Sequence, residues 1–68
     1  MGLSIEAEQE VDGRRLAEVP ELSGVLAYGS TRAEAIDRAK ALALRVIADR
    51  LDHGEAVPEL ERVFAVVA

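Results

Sequence analysis

The amino-acid sequence predicts an α+β domain: a three-stranded antiparallel meander, one long helix packed on one face of that sheet, and a final strand. Three observations predict this β-β-β-α-β order. Short alternating or apolar segments separated by turns with Gly or Pro occupy the first 28 residues. Residues 31–53 contain no Gly and no Pro, and they repeat apolar residues at three- and four-residue steps. A last apolar run follows Pro58.

The first three strands are predicted from alternation and from turn residues. Residues 3–10 alternate apolar and polar side chains, as in a half-buried strand. Asp12-Gly13 predicts a hairpin turn, because both residue types tolerate a positive φ. Residues 14–19 form the return strand, which ends at Pro20 because proline cannot donate a ladder hydrogen bond. Residues 25–28 are a compact apolar run and predict the third strand.

The helix is predicted from its two ends and its apolar stripe. Thr31 and Glu34 form a capping box, in which each side chain accepts a backbone N–H of the other residue. Gly29 lets the chain turn sharply just before the helix, and Gly54 after His53 supplies the left-handed residue that commonly ends one. The apolar stripe consists of Ile36, Ala39, Leu42, Ala43, Val46 and Ile47.

The last strand is predicted over residues 60–67. Within it, residues 63–67 run without a polar break, which is typical of a strand covered on both faces. Residues 25–28 are apolar on both faces as well. One helix covers only one face of a sheet, so these runs indicate a second copy or another protein on the far face.

The size of the chain also favours self-association. The 68 residues predict a single domain, 1–68, and a chain this short buries only about 60% of its unfolded surface. The chain has no Cys and a single His, His53, which excludes a disulfide, a thiolate metal site and a multi-histidine metal site within one chain. A homo-oligomer, dimer or higher, is therefore expected to supply the missing stability.

The charge predicts a protein partner rather than a nucleic acid or a membrane. The net charge of −5 opposes binding to a phosphate backbone, which requires clustered Lys and Arg. An acidic surface suits a basic protein. No apolar run approaches the ~20 residues of a membrane span, and no signal peptide is recognisable, so a cytoplasmic location is expected.

Four short motifs together resemble a known family. They are Asp12-Gly13, Val19-Pro20-Glu21-Leu22-x-Gly24, Gly29-x-Thr31-x-x-Glu34-Ala35 and Val57-Pro58. In this order and spacing they resemble the HicB-like antitoxin family, which carries an acidic-Gly turn, a vPeLpG segment, a GdTreEA helix start and an iP pair before the last strand. The resemblance covers about residues 3 to 67. Arg14 and Arg15 stand where the family often has an aromatic residue.

The resemblance implies a fold and a role. The fold is a β-β-β-α-β domain, a reduced relative of the ribonuclease H sheet. The role is that of the antitoxin in a type II toxin–antitoxin pair, which binds a small basic RNA-cleaving toxin, HicA, and masks its active site. Many members also carry a C-terminal DNA-binding segment. This sequence resembles the N-terminal domain alone, so no direct nucleic-acid binding is expected of it.

Three residues are candidates for contact with a protein partner: Glu21, Leu22 and Tyr28. Glu21 follows Pro20 in a predicted loop, where an exposed acid is the ordinary alternative. Tyr28 is expected to place its hydroxyl at the rim of an interface. No catalytic, metal or cofactor residue is assigned.

Two alternative functions remain from the sequence. One is a metal-dependent hydrolase, because ribonuclease H folds cleave RNA with metal-bound carboxylates and Glu6, Glu8 and Glu10 share one face of a strand. The ordinary interpretation of these acids is a solvated face. The other alternative is a structural oligomer without a toxin. His53, four residues after Asp49, is interpreted as a cation at the helix C-terminus rather than a catalytic residue.

Overall fold

The predicted meander and long helix are confirmed in the computed structural model, which describes residues 2–60 and 63–67. The strands are β1 (Glu6–Gln9), β2 (Arg15–Glu18) and β3 (Leu26–Gly29), each shorter than or shifted from its predicted range. They form one antiparallel sheet in the order β1-β2-β3. Helix α1 (Arg32–Asp52) packs on one face, and a 3-10 helix, Pro58–Leu60, follows it. The chain is an α+β fold.

The hairpin between β1 and β2 forms as predicted, with glycine alone in the left-handed region. Gly13 has a φ of +91°, and its N–H donates to the carbonyl oxygen of Glu10 at 3.0 Å. The N–H of Glu10 donates to the carbonyl of Arg14 at 2.7 Å and closes the turn. Asp12 keeps a negative φ, so only Gly13 uses the positive φ that both residues were expected to tolerate.

The two faces of the sheet differ sharply in side-chain size and charge. Residues directly opposite each other on paired strands share a face. Ala7, Ala17 and Ala27 are opposite one another and lie on the helix side. The other side, called here the open face, carries Glu6, Glu8, Leu16, Glu18, Leu26 and Tyr28. The row of three alanines lets the helix approach β2 and β3 closely.

The core consists of two clusters along the helix. Beneath its N-terminal half, Ala17, Ala35 and Ala39 are fully buried. Towards its C-terminal half, larger side chains from the β2–β3 loop and from the chain after the helix surround Ile47; these are Val19, Leu22, Val25 and Val57. Small residues therefore fill the core beneath the first half of the helix, and larger branched residues fill it towards the second half.

Gly29 is required for a different reason from the predicted one. Its φ is not positive, so it makes no special turn. An ideal Cβ at this position would lie 2.6 Å from the backbone nitrogen of Ala35. Gly29 therefore provides the space that allows the first turn of α1 to touch the end of β3.

The helix ends are stabilised largely as predicted. The hydroxyl of Thr31 accepts the N–H of Glu34 at 3.1 Å. The carboxylate of Glu34 accepts the N–H of Ser30 at 2.8 Å, one residue earlier than a regular capping box. At the other end, Gly54 has a φ of +73°, and the N–H of Glu55 donates to the carbonyl of Arg50 at 2.9 Å, which is a Schellman motif.

The predicted last strand, residues 60–67, is wrong for the part of it that the structure describes. Leu60 ends the 3-10 helix, and the N–H of Val63 donates to its carbonyl at 2.9 Å. The 3-10 helix thus includes Leu60, the residue at which the strand was expected to begin. Residues 63–67, called here the apolar segment, have no β pairing. Residues 61, 62 and 68 lie outside the described part of the chain.

Candidate protein-binding surface

The open face is a sheet surface that the described part of the chain leaves without a covering layer. Helix α1 packs on the alanine side of the sheet, so the six side chains of the open face point away from it. Leu26 is 44% exposed and Tyr28 is 38% exposed. A sheet face that carries apolar side chains and has no covering layer is typical of an interaction surface.

The half of the open face nearest β1 is acidic. Glu6 and Glu18 are directly opposite each other on neighbouring strands, and Glu8 lies two residues along β1 from Glu6. These three acids and Ala7 line a shallow depression of about 440 Å³. Carboxylates directly opposite each other repel in the isolated chain. This repulsion would be relieved by a cationic group placed between them.

The half nearest β3 is apolar, with an arginine stacked at its end. Leu16 is directly opposite Tyr28, and Leu26 lies two residues away on the same face. The guanidinium carbon of Arg14 lies 4.5 Å from the centroid of the Tyr28 ring, within the range of a cation–π contact. The stack was not predicted; Arg14 reaches Tyr28 diagonally, because it lies two residues before Leu16, the residue directly opposite Tyr28.

Asp12 fixes the position of Arg14. Its carboxylate accepts the backbone N–H of Arg14 at 3.1 Å and the side-chain Nε at 2.7 Å. The backbone hydrogen bond is the main cause that lowers the pKa of Asp12 below its usual value, and the guanidinium adds to it. Asp12, predicted as a turn residue, thus also holds the cation against Tyr28.

The three predicted contact residues do not form one site. Tyr28 lies on the open face and its ring is accessible. Leu22 is only 1% exposed and packs in the larger core cluster, so its prediction as a contact residue is wrong. The cause is the β2–β3 loop: the N–H of Leu22 donates to Val19 O at 3.0 Å, and the resulting turn points the side chain inward.

Glu21 is exposed and forms a clamp within the molecule. Its carboxylate accepts the Ser4 hydroxyl at 2.7 Å and the Ser4 backbone N–H at 3.2 Å. The hydroxyl hydrogen bond is the main cause that lowers the pKa of Glu21. Glu21 therefore joins the segment before β1 to the β2–β3 loop, a role that the sequence did not predict.

The acids considered for metal binding do not converge. Glu6 and Glu8 lie on the open face, whereas Glu10 belongs to the hairpin turn. Within residues 2–60 and 63–67, no group of three or more acidic or histidine side chains is arranged to hold a metal ion. His53 sits at the end of the helix, where its Nδ1 lies 2.8 Å from the carbonyl oxygen of Asp49.

Comparisons of the sequence with protein-family models and with curated proteins, and of the structure with solved structures, found no match. In the described part of the chain, no helix has the length and apolar character needed to cross a membrane.

Proposed function

We propose that the protein is a non-catalytic binding module of the antitoxin type, and that its open face binds and masks a small basic RNA-cleaving protein of the HicA kind. The observation that carries the proposal is the pairing of Glu6 with Glu18, flanked by Glu8, on a sheet face without a covering layer. The resemblance of four ordered motifs to HicB-like antitoxins supports the same role.

The electrostatics of the open face favour a cationic partner. Each carboxylate of the acidic half is close to another of the same sign, so a Lys or Arg from a partner gains attraction to several acids at once. The chain as a whole carries a net charge of −5, which steers a basic protein towards it over distances of about a Debye length.

The apolar half of the open face supplies the part of the contact that excludes water. Leu16, Leu26 and Tyr28 lie beside the acids on the same face. Aromatic and arginine side chains carry much of the energy in many interfaces. The stack of Arg14 on Tyr28 presents both in a fixed geometry. An acidic region next to an apolar one suits a basic protein with an apolar patch.

The protein itself has no part in RNA cleavage in this proposal. It acts by covering the active site of its partner, in the cytoplasm, where a toxin and its antitoxin would meet. Binding, rather than turnover, is therefore the property to measure.

The test is binding to the product of the neighbouring gene. We expect co-purification with a small basic protein. We expect the double variant Glu6→Lys/Glu18→Lys to weaken binding at least about tenfold, because the attraction of each carboxylate to the basic partner becomes a repulsion. Isothermal titration calorimetry at low and high salt measures both the affinity and its electrostatic part.

The matched control is Asp37→Lys/Asp52→Lys, which changes the net charge equally on exposed positions of the helix, away from the open face. This variant is expected to bind within about threefold of the unmodified chain, because distant exposed charges are screened. Equal loss in both variants would show that net charge alone attracts the partner. If the neighbouring gene encodes no small basic protein that binds this chain, the proposal of a toxin partner is wrong.

A further inference from the structure

An apolar groove lies on the opposite side of the sheet from the open face, between the helix and the segment that leads into β1. The helix packs mainly over β3 and β2 and touches β1 much less, so one flank of β1 is left uncovered. The groove has a volume of about 320 Å³, with Leu3, Ile5, Val19, Ala43 and Leu44 along its walls and Lys40 at its rim. Leu44 is 66% exposed although it belongs to the helix beside the sheet.

The backbone at this edge of β1 is ready to pair with another strand. The N–H of Glu10 donates to Arg14, and antiparallel pairs alternate between bonded and non-bonded. Glu6 and Glu8 therefore direct their N–H and C=O groups to β2, while Ala7 and Gln9 direct theirs outward. The carboxylates of Glu6 and Glu8 point to the open face, so they do not enter the groove.

The edge at β3 is less available. The outward carbonyl of Tyr28 accepts a hydrogen bond from the Arg38 guanidinium at 3.0 Å. Arg38 is held in turn by Glu34, at 3.4 Å. A charged side chain across an edge strand discourages pairing with another chain. Of the two edges, β1 with its groove is the better acceptor for an added strand.

The apolar segment has the properties of the missing strand. Val63 is 59% exposed, Phe64 69%, Val66 97% and Val67 90%, and the segment carries no charge. Valine and phenylalanine favour strands. Five extended residues span about 17 Å, against about 13 Å for the four residues of β1. The segment is long enough to run along β1, and it shares the apolar character of the groove.

A second copy is the occupant that the geometry favours. The N–H groups of Val63 and Phe64 both donate to the carbonyl of Leu60, at 2.9 and 3.4 Å, and Leu60 packs against the core. These bonds tie the first two residues of the segment to Leu60, and the segment pairs with no strand of its own sheet. Pairing with β1 of the same chain would require these bonds to break. A segment from another copy needs no such change.

We propose that two copies exchange their apolar segments, each of which adds a fourth strand to the β1 edge of the other and fills its groove. The exchange is reciprocal, so it closes as a two-fold dimer. The residues that line the groove include no acid, so the side chains that enter it meet no carboxylate, although each chain carries a net charge of −5. The proposal concerns self-association and does not depend on a toxin partner, because the open face stays free in the dimer.

The first test is the mass of the protein in solution. Sedimentation analysis is expected to give twice the 7.3 kDa of one chain, with dissociation on dilution. Successive N–H groups of a strand point to opposite sides, so only one of residues 65 and 66 can donate to β1 of the other copy. The double variant Ala65→Pro/Val66→Pro removes this donor whichever of the two residues supplies it. It is expected to raise the dimer Kd at least about tenfold, since each of the two exchanged segments loses one hydrogen bond.

Val66→Thr is the matched control, since it keeps the backbone donor and the strand preference, and it is expected to leave the dimer Kd within about threefold. Both substitutions lie in an exposed segment, so circular dichroism of the monomer is expected to be unchanged. A chain that is monomeric at every concentration would overturn the proposal. So would a dimer that the two prolines do not weaken.

The second test places the contact. The chain has no Cys, so single cysteines can be introduced freely. A mixture of Gln9→Cys and Ala65→Cys chains is expected to form a covalent dimer with a short thiol cross-linker. Leu26→Cys, on the other edge strand, mixed with Ala65→Cys is the control and is expected to form at least about tenfold less. Preferential cross-linking to Leu26→Cys would contradict the exchange at β1. A Gln9→Cys/Ala65→Cys double variant that cross-links only within one chain would contradict a second copy.

Discussion

At the scale of single residues, close packing decides where substitutions are tolerated. Ala17, Ala35 and Ala39 are fully buried because the helix lies directly on the sheet, and a larger side chain has no room there. Gly29 is the extreme case, since even a methyl group would meet the backbone of Ala35. Leu22 was predicted from its motif to contact a partner, but it belongs to the core because the β2–β3 loop turns its side chain inward.

Gly29→Ala is predicted to destabilise the fold by about 1–3 kcal/mol, the usual cost of forcing atoms into a packed interior. The added Cβ would lie 2.6 Å from a backbone nitrogen, which moves only if the helix moves. Urea unfolding at fixed protein concentration measures the effect. Gly2→Ala is the control, because nothing lies within 4 Å of its Cβ position. Equal stability of the two variants would contradict the close approach of helix and strand.

At the scale of secondary-structure elements, the ends of the helix were the most predictable features. The Thr31 cap and the Gly54 terminator were both predicted from sequence, and both form. Their hydrogen bonds join residues at most five positions apart, so local geometry is sufficient to specify them. The predicted strand at residues 60–67 failed because a strand requires a partner, and partners are chosen by the whole molecule.

Thr31→Ala is predicted to lower the free energy of unfolding by about 1 kcal/mol, because the N–H of Glu34 loses its acceptor. For a domain of this size the thermal midpoint is expected to fall by about 4–8 °C. Thermal unfolding followed by circular dichroism measures the shift. Ser30→Ala is the control, since only the backbone N–H of Ser30 takes part in the cap. If Thr31→Ala lowers the free energy of unfolding no more than Ser30→Ala does, the Thr31 cap does not contribute to the stability of the helix.

At the scale of the whole molecule, two contacts distant in sequence organise the surfaces. Ser4 and Glu21 join the chain before β1 to the β2–β3 loop. Arg14 and Tyr28 join the hairpin turn to the edge strand β3. Both contacts follow from the sheet order, and neither could be found from local spacing alone. With the helix on one side, they leave the open face and the groove as two separate surfaces.

The Ser4–Glu21 clamp predicts a dependence of stability on pH. The pKa of Glu21 is lowered in the folded chain from its usual 4.5, so its contribution is full above pH 4.5 and is lost as the pH falls through the folded value. Ser4→Ala is expected to raise the pKa of Glu21 towards 4.5, and its stability deficit is expected to shrink in acid. NMR titration of the Glu21 carboxyl group measures the shift. An unchanged pKa of Glu21 would contradict the clamp, and Ser23→Ala serves as the control.

The sequence by itself determined the order of the strands and the long helix, the hairpin at Gly13 and both helix ends. These features depend on periodicity and on residues that accept unusual backbone angles, which act over a few positions. It also determined the acidic charge, but not where the charge would lie.

Only the tertiary structure decided which side chains face outward. The sheet register places Glu6 opposite Glu18 and Tyr28 beneath Arg14, and the β2–β3 loop buries Leu22. The tertiary structure also left the apolar segment without β pairing: Leu60 packs against the core, and its carbonyl accepts the N–H groups of Val63 and Phe64. Local preference specifies an element, whereas competition among all surfaces for the limited apolar interior decides what each element touches.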